Sequence, residues 1–236
     1  MKKIALIYPG QGSQKISMGK EIYDNFSEAK EVFQEIDEYL ERSLSKIIFS
    51  GQQEDLNKTE NTQPALMAVS MAINAIINKE KNITEFASYV AGHSLGEYTA
   101  LCISGSFSLE DMTRTLQVRA NSMAEAGKNN PGSMAAIIGG DINIVEDIIS
   151  KARNYGICQI ANDNSVGQIV ISGEVAAIDN AILIAKEYGA RKAIKLPVSG
   201  AFHSELMQDA ADKVKEFLLN IELSKPKTPY IANVTA

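Results

Sequence analysis

The stretch Val90-Ala91-Gly92-His93-Ser94-Leu95-Gly96-Glu97 restricts this chain more than any other. An apolar run from Ala87 to Ala91 leads into Gly-x-Ser-x-Gly, and Leu95 to Ile103 follows, rich in Ala and Leu. The pattern predicts a strand, a sharp turn and a helix, which together project a serine hydroxyl outward. Glycine on either side of the turn lets neighbouring backbone pass close, and the helix begins with free N–H groups and a positive dipole end. Charge developing near Ser94 would be stabilised there. The same residues would also suit a tight turn whose serine merely caps the helix, so the rest of the chain has to decide.

Upstream, Ile4 to Tyr8 reads as a buried strand closed by the loop Pro9-Gly10-Gln11-Gly12-Ser13-Gln14. The loop lacks the Gly-Lys-Ser/Thr of a P-loop and the third glycine of a dinucleotide fingerprint, which argues against nucleotide binding and leaves Gln11 open to a role near a site. Ser27 to Leu40 has helical spacing through Val32, Phe33, Ile36 and Leu40. Thr62-Gln63-Pro64-Ala65 is expected to open an apolar helix running to Ile77, with Thr62 or Gln63 near the cap and Pro64 in the first turn. Gln63 then faces either a site or solvent.

Beyond the serine turn, Ser108 and Asp111 form a capping pair. The helix they open carries an apolar stripe at Leu109, Met112, Leu116 and Met123, and the remaining place on that stripe is Arg119. Arg114 falls on the polar side. A guanidinium at a core position is costly unless it snorkels, pairs with a structural carboxylate or awaits an anionic ligand.

Asn129-Asn130-Pro131-Gly132 marks a turn, after which the character of the chain changes. Met134 to Ile138 reads as a strand, Ile142 to Tyr155 as a helix, and Ile157 to Ala161 and Gln168 to Ser172 as strands. Val175 to Tyr188 is helical again and Ala193 to Val198 extended. This is the ferredoxin-like β-α-β-β-α-β order. It predicts a small subdomain at residues 129–197 inserted into a discontinuous large one, residues 1–128 and 198–236. His203 lies in the loop Ser199-Gly200-Ala201-Phe202-His203, before a helix expected to bury Leu206, Ala210, Val214, Phe217 and Ile221. A nucleophilic serine needs a base, and the chain has two histidines. His93 adjoins Ser94, where the turn would point it elsewhere, so His203 is the candidate. Tyr230 to Val234 reads as a last strand.

A formal net charge of −6 and a pI near 5.1 argue against general binding to nucleic acid or anionic membranes. Cys102 and Cys158 are too few for a disulfide framework or a zinc cluster, so no metal is expected and a reducing cytoplasm fits. The basic start at Met1-Lys2-Lys3 is followed by Pro9 and Gly10 before a signal-peptide core could form.

Gly10-Gln11-Gly12-Ser13-Gln14, Gly92-His93-Ser94-Leu95-Gly96-Glu97, Gln117-Val118-Arg119-Ala120 and Ala201-Phe202-His203-Ser204 occur in this order. With them the whole chain closely resembles the malonyl-CoA:acyl carrier protein transacylases, and more distantly the acyltransferase domains of polyketide and fatty acid synthases. The resemblance implies a hydrolase-like α/β core, a parallel sheet with helices, carrying the ferredoxin-like subdomain. It implies Ser94 as the acylated nucleophile, His203 as general base, Gln11 and the Leu95 N–H as oxyanion hole, and Arg119 as the holder of the malonyl carboxylate. Gln63, His93 and Asn162, the last in Asn162-Asp163-Asn164-Ser165, match positions lining the pocket. Family members usually have proline where this chain has Val166, so a looser loop is expected there.

The implied reaction is ping-pong transfer of malonyl from malonyl-CoA, through a malonyl-serine, to the phosphopantetheine thiol of acyl carrier protein, supplying fatty acid synthesis. No permanently bound cofactor, no nucleic-acid or membrane partner and a monomer are expected. Lys186, Arg191, Lys192 and Lys195 form the densest basic group and are the expected dock for an acidic carrier, or else an ordinary solvated charge run. The family orients its histidine through backbone carbonyls and normally continues past Asn233-Val234-Thr235-Ala236, so a truncated chain with a weakened fold or activity is one expectation. A serine esterase or thioesterase is the rival, since it shares nucleophile, base and oxyanion hole; a buried Arg119 weighs against it, because a neutral acyl chain has no use for a cation.

Overall fold

The computed structural model describes residues 4–81 and 85–235. The basic residues at the start of the chain and Ala236 at its end lie outside the described residues. In chain order the elements are β1 (Ile4–Tyr8), α1 (Lys20–Asn25), α2 (Ser27–Tyr39), α3 (Leu44–Ser50), α4 (Gln53–Asn57), α5 (Thr59–Glu80), β2 (Ala87–Gly92) and α6 (Gly96–Ile103). They continue through α7 (Leu109–Asn129), β3 (Gly132–Ile138), α8 (Ile142–Ala152), β4 (Cys158–Ser165), β5 (Gln168–Glu174), α9 (Val175–Ile184), β6 (Lys192–Lys195), α10 (Gln208–Leu218) and β7 (Tyr230–Ile231). The chain divides into two compact units, residues 1–120 with 215–236, and residues 121–214. Among the described residues no helix is long and apolar enough to cross a membrane.

The first unit is α/β with a parallel sheet in the order β1-β2-β7. Its register sets Tyr8 beside Gly92, and Val90 and Ala91 beside Tyr230 and Ile231. Continuous apolar sequence in β1 predicts burial on both faces, yet only Tyr8 is buried and Ile7 is 75% exposed, because among the described residues β1 has one covered face. The helical core gathers Phe33, Ile36, Leu44, Ile48, Leu56, Met67, Leu95, Met112 and Leu116.

Helix α5 corrects the expectation of a start near Thr62. It begins at Thr59, so Pro64 lies inside it rather than in its first turn. Proline lacks the N–H that would bond the carbonyl four residues back. That carbonyl belongs to Glu60, and it accepts instead from Arg42 Nη2 at 3.0 Å. Arg42 also donates to Asn61 Oδ1 at 2.7 Å and Gln117 Oε1 at 2.9 Å, so a neighbouring loop supplies what the helix cannot. At the start of α7, Ser108 Oγ accepts from the Asp111 N–H at 2.9 Å and donates to its carboxylate at 2.7 Å. Arg114 is exposed and paired with Glu110, as its side of the stripe predicts.

The second unit has an antiparallel sheet in the order β4-β5-β3-β6. Asp141 caps α8 by accepting from the Ile144 N–H at 3.0 Å. On β3, Ala135 and Ile137 pack with α8 and α9, while Met134 and Ala136 face Met123, Phe202 and Met207, so this strand is covered on both sides. The strand expected to end at Ala161 runs on to Ser165, and the loop expected to be loose is a tight turn at Val166 and Gly167, with Gly167 at φ 77°. The polar run Asn162 to Ser165 hid a strand because hairpin pairing with β5, not burial, holds it. Of the five residues expected in the core, only Ala210 on α10 is buried; Leu206 before the helix, Val214 and Phe217 on it and Ile221 after it are half-buried. The last strand is confined to Tyr230 and Ile231.

Candidate active site

Ser94 stands between β2 and α6 with φ 52°, a left-handed backbone that costs a non-glycine residue on the order of 1–2 kcal/mol. The turn exists because its two glycines are crushed together. A Cβ on Gly92 would collide with the Gly96 backbone, and one on Gly96 would lie 2.5 Å from the Tyr8 carbonyl oxygen. The backbone amides are almost all committed: His93 N donates to Tyr8 O at 3.0 Å, Gly96 N to His93 O at 2.9 Å, Glu97 N to Ser94 O at 3.1 Å and Tyr98 N to Leu95 O at 3.1 Å. Ser94 N donates to Asn233 Oδ1 at 2.8 Å. Among the described residues, Leu95 has the one amide from His93 to Tyr98 that meets no acceptor, and it opens α6, where the helix dipole is positive.

Arg119 reaches this serine. Its Nη2 lies 3.0 Å from Ser94 Oγ, its Nη1 donates to Gln63 Oε1 at 2.5 Å, and its guanidinium sits over the Tyr98 ring, 5.6 Å from the centroid. Burial pushes its pKa below the usual arginine value, opposed by Tyr98 and Glu97, but an arginine stays charged. Among the described residues no carboxylate is within salt-bridge distance of it, so of the three readings open to a cation on that stripe, the structural ion pair is the one removed. Burial raises the pKa of the Glu97 carboxyl, against a hydrogen bond from the Asn233 N–H and the charge of Arg119.

Ser94, Arg119 and Gln63 are thus brought together. Gln11 is half-buried, and its Nε2 donates to Thr59 Oγ1 at 3.4 Å. His93 is exposed, with its ring packed against Gly10, where a Cβ would collide with Nδ1. In the second unit His203 is exposed and, like Ser94, left-handed, with φ 58°. Ser204 Oγ beside it donates to Ala201 O at 2.6 Å, closing the turn. Asn162 is half-buried on β4 opposite Val170, next to a register shift. Lys186, Arg191, Lys192 and Lys195 are all exposed, and Lys195 is tied to Asp179 at 2.5 Å. Two contributors, Tyr98 and Asn233, went unread in the sequence. Tyr98 is one helical turn from Ser94 and could have been found from that spacing, whereas Asn233 is 139 residues from Ser94 and gave no signal.

The family profile of the acyl transferase domain matches residues 5–236. A relative from Bacillus subtilis named malonyl CoA-acyl carrier protein transacylase is 46% identical over 237 residues, covering 100% of this chain and 74% of its own length. The crystal structure of an acyl-carrier-protein-S-malonyltransferase from Bartonella henselae superposes with a TM-score of 0.94 at 49% identity, over 99% of this chain and 75% of that one. A type II PKS acyl-carrier protein in complex with its malonyl-transacylase matches at TM-score 0.93 and 36% identity, over 98% of this chain and 74% of the other.

Proposed function

The chain belongs to the acyl transferase domain family, and on that premise we propose that it moves malonyl from malonyl-CoA to the phosphopantetheine thiol of acyl carrier protein. The observation that carries this is Arg119, a charged group with neutral partners one hydrogen bond from Ser94 Oγ. Malonyl places a free carboxylate two carbons from its thioester carbonyl, so one end can meet the guanidinium while the other meets the nucleophile. Gln63 holds the remaining prong of the fork in place.

In this reading Ser94 Oγ attacks the thioester carbonyl and His203 takes its proton. The Leu95 amide and Gln11 receive the oxyanion, because an uncommitted N–H at a helix start stabilises charge that appears only in the transition state. The C–S bond breaks, His203 returns the proton to the CoA sulfur, and malonyl-Ser94 remains. The carrier thiol then gives its proton to His203 and attacks the ester, and Ser94 leaves with the proton back on its oxygen. Asn162 and His93 complete the reading as pocket-lining positions, and residues 129–197 as an inserted ferredoxin-like subdomain supported by the strand order β4-β5-β3-β6. The protein works as a monomer and docks its carrier at Lys186, Arg191, Lys192 and Lys195.

Intact-mass measurement tests the chemistry. Malonyl-CoA should add one malonyl group, Ser94→Ala should abolish the adduct, and phosphopantetheinylated carrier should discharge it. An adduct that persists in Ser94→Ala, on Cys102 for example, would sink the assignment.

A further inference from the structure

Asn233, two residues past the end of β7, grips the serine turn from the strand next to β2. Its Oδ1 accepts from Ser94 N at 2.8 Å, its Nδ2 donates to Gly92 O at 2.7 Å, and its own N–H donates to Glu97 Oε1 at 3.3 Å. The two side-chain bonds fix the amide's orientation, since an N–H can only donate and a carbonyl only accept. They also continue the β2–β7 ladder. Val90 N donates to Pro229 O at 2.9 Å, and Val90 and Ala91 pair with Tyr230 and Ile231; where β2 bends into the turn the backbone can no longer follow, and the side-chain amide offers the same donor and acceptor.

From this geometry we propose that Asn233 is a positioning residue for the nucleophile. It spans the strained step from Gly92 to Ser94 and holds the left-handed backbone that aims Oγ. By occupying the amide of Ser94 it also leaves Leu95 as the N–H that can turn to an oxyanion. The inference rests on Ser94 being the nucleophile, and it assigns Asn233 no contact with the acyl group. Its removal therefore affects every electrophile alike, unlike removal of Arg119.

The test compares wild type, Asn233→Ala and Asn233→Asp in the rate of Ser94 acylation by malonyl-CoA and by acetyl-CoA, and in Ser94 labelling by a fluorophosphonate, which needs the nucleophile and no malonyl pocket. Asn233→Ala should slow the maximal rate of all three about tenfold, the net worth of one to two hydrogen bonds at a site water can reach. The half-saturating malonyl-CoA concentration should stay within about twofold, since no substrate contact is lost. Asn233→Asp keeps the acceptor and loses the donor, so its rate should lie between the other two. Rates in Asn233→Ala equal to wild type would overturn the proposal, as would slowing confined to malonyl-CoA. If Asn233→Ala does not melt cooperatively, Asn233→Asp decides, and wild-type rates there overturn it. Should wild type react with the fluorophosphonate but not with malonyl-CoA, the transfer reaction fails while the role of Asn233 is still read from the labelling rates.

Discussion

Arg119 carries a full charge among neutral partners, and that asymmetry is what supports the proposal that it selects the substrate rather than serving the scaffold. Truncating one partner of a buried, forked ion pair costs about 2 to 5 kcal/mol, or roughly 30-fold to several thousand-fold in rate. Arg119→Ala should therefore slow Ser94 acylation by malonyl-CoA to that extent and leave acetyl-CoA little changed. Arg119→Lys should restore only part, because an ammonium keeps the charge and loses the fork. Equal slowing of both thioesters would make Arg119 structural. A second residue-level expectation concerns the cysteines. Burial pushes the Cys102 thiol up to about 12 and Cys158 to about 11, so at pH 8 both are protonated, Cys158 being buried and Cys102 half-buried. Iodoacetamide should leave both unmodified in the native protein and react with both once it is unfolded. Arg119 was legible in the sequence because it breaks a periodic pattern, and a broken pattern is visible without a structure. Asn233 was not, because a side-chain amide that completes another strand's hydrogen bonding has no local signature.

Among the elements, α5 shows how a helix tolerates proline in its interior. The Glu60 carbonyl that Pro64 leaves unserved is taken by Arg42, so the two residues should be coupled. Arg42→Ala should destabilise the protein by about 1–3 kcal/mol in urea unfolding, since it strips partners from a partly buried carbonyl and from two side chains. In a Pro64→Ala background the loss should be smaller, because alanine brings back the N–H that Glu60 can use. Strictly additive losses in that double-mutant cycle would show that the two sites act independently. The same helix explains a sequence misreading: a proline normally marks a first turn, and here tertiary contact moved the start back to Thr59. Elements with strong periodicity or a paired cap, such as α2, α8 and the start of α7, were legible close to their true limits. Polar β4 and one-faced β1 were misjudged in extent or burial because sheet pairing and the covering of a strand's faces are not written in local hydrophobicity.

For the molecule as a whole the net charge of −6 bears on the proposed transfer, whose carrier is expected to be acidic. Lys192 and Lys195 belong to β6, which ends the sheet of the second unit, and lysines on an edge strand also serve to block pairing with another chain. Lys195 is already neutralised by Asp179, which leaves Lys186, Arg191 and Lys192 as the exposed positive charge of that group. The two roles separate by experiment, since glutamate guards an edge as well as lysine does but repels an acidic carrier. Arg191→Glu with Lys192→Glu should lower kcat/KM for the carrier about 3- to 30-fold at low salt, two exposed ion pairs being worth up to roughly 1 kcal/mol each. The loss should shrink as salt rises, because screening weakens repulsion in the variant and attraction in the parent alike. Acylation by malonyl-CoA should be unchanged, as that half-reaction never involves the carrier. Lys195→Ala should have the smaller effect, its charge being spent on Asp179. If charge reversal instead slows both half-reactions equally, or leaves carrier transfer untouched while the protein begins to associate with itself, the basic group belongs to the edge and the carrier docks elsewhere.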